Sequence, residues 1–156
     1  MNLVQNLDER DLKLLRLLQT DARLGNNELA AKVALSPSAC LRRVRALEEA
    51  GFIDRTVAIL DHRAAGFGGS AVVHVTLESQ ERKALDRFEA AVARVTAIVE
   101  CYLLAGPADY LLRVVYRDND ELERLHGDVL TRLPGVQRIQ STLTLRTVKR
   151  TTALPI

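Results

Sequence analysis

The sequence has little cysteine and no long apolar run, and both absences narrow the classes of protein it can encode. Its 156 residues include two cysteines, Cys40 and Cys101, which lie in separate segments without CxxC spacing. A disulfide framework or zinc site is not expected, which indicates a reducing cytoplasm. Apolar runs such as residues 110–116 have strand length, far short of the roughly 20 residues of a membrane span. The first ten residues show no signal-peptide pattern, so we expect neither export nor membrane insertion.

Motifs typical of enzymes are also missing. The three histidines, His62, His74 and His126, lack the spacing of metal ligands. The chain contains no G-x-S-x-G motif and no glycine-rich phosphate-binding loop, and its carboxylates show no evident pairing. We therefore expect no enzyme, no metal site and no cofactor.

Charge is present in both signs but is unevenly arranged. The net charge is +2, and residues 1–62 hold nine basic and nine acidic side chains, so neither number by itself indicates nucleic acid. From Lys32 to Arg45, however, there are four basic residues and no acidic one. The 47% hydrophobic content is sufficient for a globular core in one ordinary domain or two small ones.

The sequence of the first third of the chain predicts three helices. Asp8 is the expected N-cap of the first helix, with Asp11 as its capping-box partner. Leucines at helical spacing form its apolar face, namely Leu12, Leu15 and Leu18. Asn26 or Asn27 is the expected cap of a second helix of about two turns.

The third helix combines a buried face with an exposed basic one. Ser36 and Pro37 predict its start and Gly51 its end, while Cys40, Val44 and Leu47 form the inward face. A short helix, a tight turn and a longer basic helix resemble a helix-turn-helix. The residues expected to meet DNA lie at its N-terminus and on its exposed side: Ser36, Ser38, Ala39, Arg42 and Arg45, with Arg43 to the side of them. The alternative is a solvated face with an Arg45–Glu49 ion pair.

Residues 52–69 predict a transition between two domains. The stretch 52–60, FIDRTVAIL, is rich in β-forming residues and is expected to pack beside the helices. Glycines are frequent in the following segment, which indicates a linker. The expected domains are therefore residues 1–60, a linker at 61–69 and a second domain at 70–156.

The second domain alternates strands and helices. Strands are predicted at 71–79, 97–106, 110–116 and 136–148, with helices at 80–95 and 118–133. The order β-α-β-β-α-β is that of a ferredoxin-like unit, so the chain is expected to be α+β. The alternating residues of the first strand leave neither face strongly polar. We therefore expect a second copy of the chain to cover the open face of the sheet.

Three motifs together resemble the Lrp/AsnC family of transcription regulators. They are LDERDLKLLRLLQTDARL at 7–24, ELAAKVALSPSACLRRVRALEEAGFI at 28–53 and LLAGPADYLLRV at 103–114. The resemblance implies a winged helix-turn-helix that binds double-stranded DNA and a ferredoxin-like domain that dimerises and assembles further, to octamers in many members. It also implies a cytoplasmic regulator that senses amino acids or related molecules. Ala34 and Thr56 depart from the family, which usually has glycine and tyrosine there.

The loop before residue 111 is the expected effector site. The resemblance places Gly106, Asp109 and Tyr110 at an effector pocket between dimers. An amino acid needs an anion for its ammonium and donors for its carboxylate. Asp109 is a candidate for the first role, and the hydroxyls of Ser141 and Thr142 are candidates for the second. The alternative is an ordinary turn in which Asp109 bonds its own backbone and Tyr110 is a core aromatic.

Two other functions remain open from the sequence. An architectural DNA-binding protein would need no effector, and its DNA affinity would be independent of ligands. Residues 60–67, LDHRAAGF, also resemble a segment of the sirohaem decarboxylases, and a coloured, tetrapyrrole-binding preparation would favour that enzyme. The identity of the effector, the operator and the direction of regulation do not follow from the sequence.

Overall fold

The computed structural model describes residues 7–156, and the chain divides into two compact units. The first contains the chain through Ala58 together with Lys149–Ile156, and the second is Ile59–Val148. The elements in chain order are α1 (Glu9–Leu18), α2 (Asn26–Lys32), α3 (Pro37–Glu49), β1 (Gly69–Leu77), α4 (Arg82–Val92), β2 (Ile98–Leu103), β3 (Tyr110–Tyr116), α5 (Asn119–Arg124) and β4 (Val136–Leu143).

Capping residues fix the ends of the helices in the first unit. The Asp8 side chain accepts hydrogen bonds from the N–H groups of Arg10 and Asp11, and the Asp11 side chain accepts one from Asp8, which confirms the predicted capping box. Ser36 caps α3 and Pro37 follows it, as predicted. The apolar faces of the three helices meet in one core, which includes Leu14, Leu15, Leu29, Ala30, Val33, Cys40 and Leu47.

The start of α2 differs from the prediction. Its N-cap is Gly25, whose extended backbone precedes the helix without any side-chain cap bond. Asn26 is the first helical residue, and its Nδ2 donates to the carbonyl oxygen of Pro37 at 2.9 Å. The asparagine predicted as a cap instead ties the start of α2 to the start of α3.

The β-rich stretch after α3 forms no strand. Residues 53–60 have no regular secondary structure, and Val57, Ile59 and Leu60 are 63%, 57% and 69% exposed. The β-forming residues of this stretch favour a strand, but a strand also requires a neighbour to complete its hydrogen bonds. None of the strands in the described part of the chain pairs with this stretch.

The second unit has the predicted ferredoxin-like topology. Its four strands form one antiparallel sheet in the order β2-β3-β1-β4. Alternate residues of β1 are buried in the core, which also contains Phe88 from α4 and Leu125 and Leu130 from the helical segment after β3. Val72, His74 and Thr76 lie on the other face of β1, because successive residues of a strand point to opposite faces.

Two predicted boundaries in this unit are revised. The helix expected at 118–133 is an α-helix only through Arg124, and it continues as a π-helical turn at Leu125–Val129 and a 3-10 turn at Leu130–Arg132. The π-helical turn contains Gly127, whose backbone freedom weakens regular α-helix. The last strand ends at Leu143 rather than at residue 148.

The final eight residues group with the first unit, whereas the sequence assigns them to the second domain. The side-chain amide of Gln19 exchanges two 2.9 Å hydrogen bonds with the main chain of Leu154. Nε of Arg16 donates to the carbonyl oxygen of Ile156 at 2.6 Å. These partners are 135 to 140 residues apart, so no local pattern predicts them.

Candidate nucleic-acid interface and effector loop

The exposed face of α3 is built from residues spaced by three and four positions. Ser38, Leu41, Arg42 and Arg45 are all exposed, whereas Cys40 and Leu47 are buried on the opposite side. We call these four exposed residues the basic face. Since residues three and four apart are neighbours on a helix, the four side chains share one surface.

The two arginines of the basic face are free to bind a ligand. Among residues 7–156, neither Arg42 nor Arg45 forms an ion pair or a side-chain hydrogen bond. The Arg45–Glu49 pair that would make this an ordinary solvated face is not formed. Two unpaired guanidinium groups on one helix face suit phosphate and base-edge contacts.

The N-terminus of α3 presents small side chains. Ser36 Oγ accepts from the N–H of Ala39 at 3.3 Å and lies 3.2 Å from Ser38 Oγ. Ala39 is half-buried, and Ser38 is exposed. Ser36 therefore acts first as the helix cap, while Ser38 remains available to a neighbouring molecule.

Arg43, which the sequence groups with the DNA-facing residues, points elsewhere. Its Nη1 donates to Asp8 Oδ2 at 2.7 Å and to Asp11 Oδ1 at 2.8 Å. It follows Cys40 by three positions and precedes Val44 by one, which places it on the flank of the buried face rather than on the basic face. The side chain is therefore held against the start of α1.

Sequence reasoning missed Leu41 as a surface residue. Its side chain is 41% exposed, although an isolated leucine in a helix is more often assigned to the core. Its position in the sequence could have indicated exposure, because Leu41 lies three residues after Ser38 and therefore next to it on the helix surface. An exposed apolar side chain beside the two arginines can contact the methyl group of thymine.

The predicted effector loop is anchored by Asp109, which is buried. Its Oδ2 accepts from the N–H of Leu77 at 2.7 Å, and its Oδ1 accepts from Nε2 of Gln80 at 2.6 Å. Its N–H donates to Val75 O and its carbonyl accepts from Leu104 N. Both carboxylate oxygens therefore hold the loop to the end of β1, instead of standing open for an ammonium group.

Tyr110 also lies inside the second unit. Its ring packs on Phe88 with 4.6 Å between centroids, and its hydroxyl donates to Glu89 Oε1 at 2.7 Å. Burial and the neighbouring carboxylate of Glu89 raise the pKa of this hydroxyl. Gly106, by contrast, is exposed, and a Cβ added there meets nothing within 4 Å.

The structure does not bring Ser141 and Thr142 to this loop within one chain. Both lie on β4, and β1 separates β4 from β3, the strand that begins at Tyr110. Ser141 is half-buried and its Oγ has no hydrogen-bond partner, whereas Thr142 is exposed. As neighbours on a strand, they point to opposite faces of the sheet, so one ligand cannot meet both hydroxyls of the same chain side by side.

Neither a membrane span nor a metal centre is found in the described part of the chain. No helix in residues 7–156 is long and apolar enough to cross a membrane. Across the same range, no group of three or more His, Cys, Asp or Glu side chains is placed to hold a metal ion.

A helix-turn-helix with an unpaired basic face, followed by a ferredoxin-like domain, defines a DNA-binding regulator with a sensory domain. Comparison with known proteins identifies its family. The family model described as winged helix-turn-helix DNA-binding matches residues 7–54, and that of the Lrp/AsnC ligand-binding domain matches residues 70–154. The chain belongs to the Lrp/AsnC family of transcription regulators.

Individual relatives match this chain over nearly its full length. The Bkd operon transcriptional regulator of Pseudomonas aeruginosa is 40% identical over 150 residues, covering 96% of this chain and 98% of that protein. The leucine-responsive regulatory protein of Salmonella typhimurium is 37% identical over 152 residues, covering 97% and 93%. Among solved structures, a transcriptional regulator of Neisseria meningitidis in complex with L-methionine is 37% identical in sequence. The match covers 96% of this chain and 97% of that chain, with a TM-score of 0.91.

Proposed function

We propose that this regulator binds double-stranded DNA through the basic face of α3. The observation that carries the proposal is the pair of exposed arginines, Arg42 and Arg45, which have no partner among the described residues. Arginine recognises phosphates and the edge of guanine, and Ser38 and Leu41 beside them supply a hydroxyl and an apolar contact. Ser36 and Ala39 support the same surface as the cap and first turn of the helix.

The test is DNA affinity measured against salt concentration, with a duplex selected by the protein from a random library. The Arg42→Gln, Arg45→Gln double variant should bind at least tenfold more weakly, since each base-edge contact contributes about 1 to 3 kcal/mol. Its slope of log affinity against log salt should flatten by about 0.9 for each phosphate that the variant no longer binds.

The matched control removes two exposed arginines from the second unit. Arg82→Gln, Arg94→Gln changes the net charge equally but leaves α3 intact. It should bind DNA nearly as the unaltered protein does. Equal affinity of the two double variants would contradict the assignment of the basic face.

We infer that the second unit binds an amino acid or a related small molecule at the loop from Gly106 to Tyr110. Support comes from the match to a ligand-binding family and from the relative solved with L-methionine. We assign Asp109 the role of organising the loop, because its oxygens are occupied by Leu77 and Gln80. The exposed main chain around Gly106 is then the surface that meets the effector, and one of the two β4 hydroxyls, that of Ser141 or that of Thr142, joins the site from another subunit.

The effector is to be found by thermal-shift screening against the twenty amino acids. A ligand that binds only the native protein raises the apparent stability by mass action, by about 2.7 kcal/mol at a hundred times its dissociation constant. A shift with one amino acid or a related group identifies the effector class. A protein whose unfolding temperature responds to none of them, and whose DNA affinity is constant, would instead be an effector-independent architectural protein.

We further propose that the protein works in the cytoplasm as a homodimer that assembles into higher oligomers, up to an octamer, and that it regulates rather than catalyses. The relatives named above are transcriptional regulators. Support for the dimer comes from the face of the sheet opposite α4. It carries Val72 and Leu111, which a second copy of the same face can cover.

A further inference from the structure

We propose that Arg43 is a positioning residue for DNA binding: it fixes α3 to the N-terminal cap of α1 and makes no contact with DNA phosphates. The inference rests on the DNA-binding role of α3. It adds Asp8 and Asp11 as two acidic residues on which DNA affinity depends. We call the three side chains the α1–α3 clamp.

The clamp joins helices that are distant in sequence. A single nitrogen, Nη1 of Arg43, donates to Asp8 Oδ2 at 2.7 Å and to Asp11 Oδ1 at 2.8 Å. The pairs are 35 and 32 residues apart. The side chains of Arg43 and Asp11 are 30% and 16% exposed and that of Asp8 is 50% exposed, so the bond to Asp11 is the more buried of the two. Charge-assisted bonds of this length are among the stronger ones in proteins.

The same two carboxylates also begin α1. Asp8 Oδ1 accepts from the N–H groups of Arg10 and Asp11, both at 2.9 Å, and Asp11 Oδ2 accepts from the N–H of Asp8 at 3.3 Å. One oxygen of each carboxylate therefore caps the helix and the other binds Arg43. Because the cap fixes the orientation of both carboxylates, the guanidinium is directed to one place at the end of α1.

Leaving the clamp would be unfavourable for Arg43. Two carboxylates would remain side by side without a cation, and like charges at this separation repel. The contacts with Asp11 and Asp8 raise the pKa of Arg43, and the pKa of Asp8 is lowered first by the N–H of Asp11 and also by Arg43. A phosphate contact by Arg43 would have to compete with both carboxylates.

The orientation of α3 matters for DNA binding because Arg42 and Arg45, which precede and follow Arg43 in the sequence, turn together with the helix. The apolar contacts of Cys40 and Leu47 bury one face of α3 without directional bonds, and the bond from Asn26 to the carbonyl oxygen of Pro37 is made at the first residue of the helix. The clamp adds two directional bonds on the flank of the buried face. It thereby sets the direction in which the basic face points.

The test compares Arg43→Met with Arg42→Met in DNA affinity across a range of salt concentrations, using the assembled full-length chain. For Arg43→Met we expect about a tenfold loss at every salt concentration and an unchanged slope. For Arg42→Met the slope should flatten by about 0.9 if Arg42 binds a phosphate. Arg43→Lys should recover most of the affinity, because one ammonium nitrogen can bridge the two carboxylates as Nη1 does.

Asp11→Asn distinguishes the clamp from a purely electrostatic effect of the lost charge, because the two predict changes in DNA affinity of opposite sign. It keeps an oxygen for the helix cap but removes a negative charge, which by electrostatics alone strengthens DNA binding. The clamp predicts weaker binding, by about threefold to tenfold. This variant also decides the matter if Arg43→Met does not fold.

Three outcomes would overturn the proposal. They are a flattened salt slope in Arg43→Met, stronger DNA binding by Asp11→Asn, and unchanged affinity in both variants. Failure of the unaltered protein to bind any selected duplex would instead refute the proposed DNA-binding function, so the two failures are distinguishable.

Discussion

Ala34, in the turn between α2 and α3, has a left-handed backbone with φ of 54°. It follows the C-cap Val33, and the turn closes with hydrogen bonds from Leu35 N to Ala30 O at 2.9 Å and from Ala34 N to Ala31 O at 3.3 Å. This pairing is the Schellman motif, in which glycine is preferred at the position of Ala34. The departure from the family's usual glycine therefore falls on a strained residue of the helix-turn-helix.

We expect Ala34→Gly to raise the free energy of unfolding by about 1 kcal/mol, because the left-handed conformation is unfavourable for a residue with a Cβ. Urea unfolding followed by circular dichroism measures the change. Ala31→Gly, at an exposed position within α2, is the control and should lower the free energy of unfolding by about the same amount. If both substitutions destabilise the protein equally, the strain at Ala34 is not significant.

At the scale of residues, the sequence predicts local contacts well and distant ones poorly. The capping box of Asp8 and Asp11 and the cap at Ser36 depend on neighbours within three positions, and both are confirmed. Arg43 has its partners 32 to 35 residues away, and Asn26 has its own 11 residues away. No pattern within one helix could identify either contact.

At the scale of elements, the helices and the order of strands follow from periodicity, and the failures have specific causes. Residues 53–60 have the composition of a strand, but pairing within the chain decides whether one forms. The segment after β3 keeps its apolar face although its backbone changes winding at Leu125. Burial of a face thus tolerates local irregularity that sequence patterns do not reveal.

The docking of the final residues onto α1 is an element-scale contact that can be tested. Gln19→Ala removes the side chain that both accepts from and donates to the main chain of Leu154. The amide of Leu154 should then exchange hydrogen faster, by about the factor of ten that removal of one hydrogen bond allows. Gln137→Ala, at an exposed position on β4, should leave this rate unchanged. Equal rates in all three proteins would show that the contact does not persist in solution.

At the scale of the whole molecule, assembly depends on the open face of the sheet. Leu111 lies opposite His74 on this face, away from the helices. Leu111→Asp should shift the protein towards the monomer, because a carboxylate would be buried in an apolar interface without a partner. Sedimentation at micromolar concentration measures the change. Thr96→Asp adds the same charge at an exposed position outside the strands and should assemble normally; dissociation of both variants would argue against this interface.

The fold class and the family could be predicted from the sequence because both rest on patterns that extend over many residues. The effector site at the loop from Gly106 to Tyr110 stays a prediction. The sequence leaves open whether Asp109 and Tyr110 face a ligand or belong to a turn and the core, and the structure shows their contacts with Leu77 and Glu89 within the second unit. The packing of the sheet beneath a loop determines which of its side chains face inward. A short sequence motif contains no information on that packing.

The central claim is that an effector at the loop controls DNA binding, and Gly106→Val tests it most directly. A Cβ added at this position meets nothing within 4 Å, so we expect the fold to accommodate valine, whose side chain obstructs a ligand approaching the main chain. The measurement is DNA affinity with and without the effector identified by screening, and Gly127→Val, at another open glycine, is the control.

Binding of effector and DNA is reciprocally linked, typically by 1 to 3 kcal/mol, or about 5-fold to 150-fold in affinity. We predict that the effector changes the DNA affinity of the unaltered protein and of Gly127→Val by the same factor. Gly106→Val should bind DNA equally well without effector and should show no change when effector is added. An effector response in Gly106→Val equal to that of the unaltered protein would contradict the account.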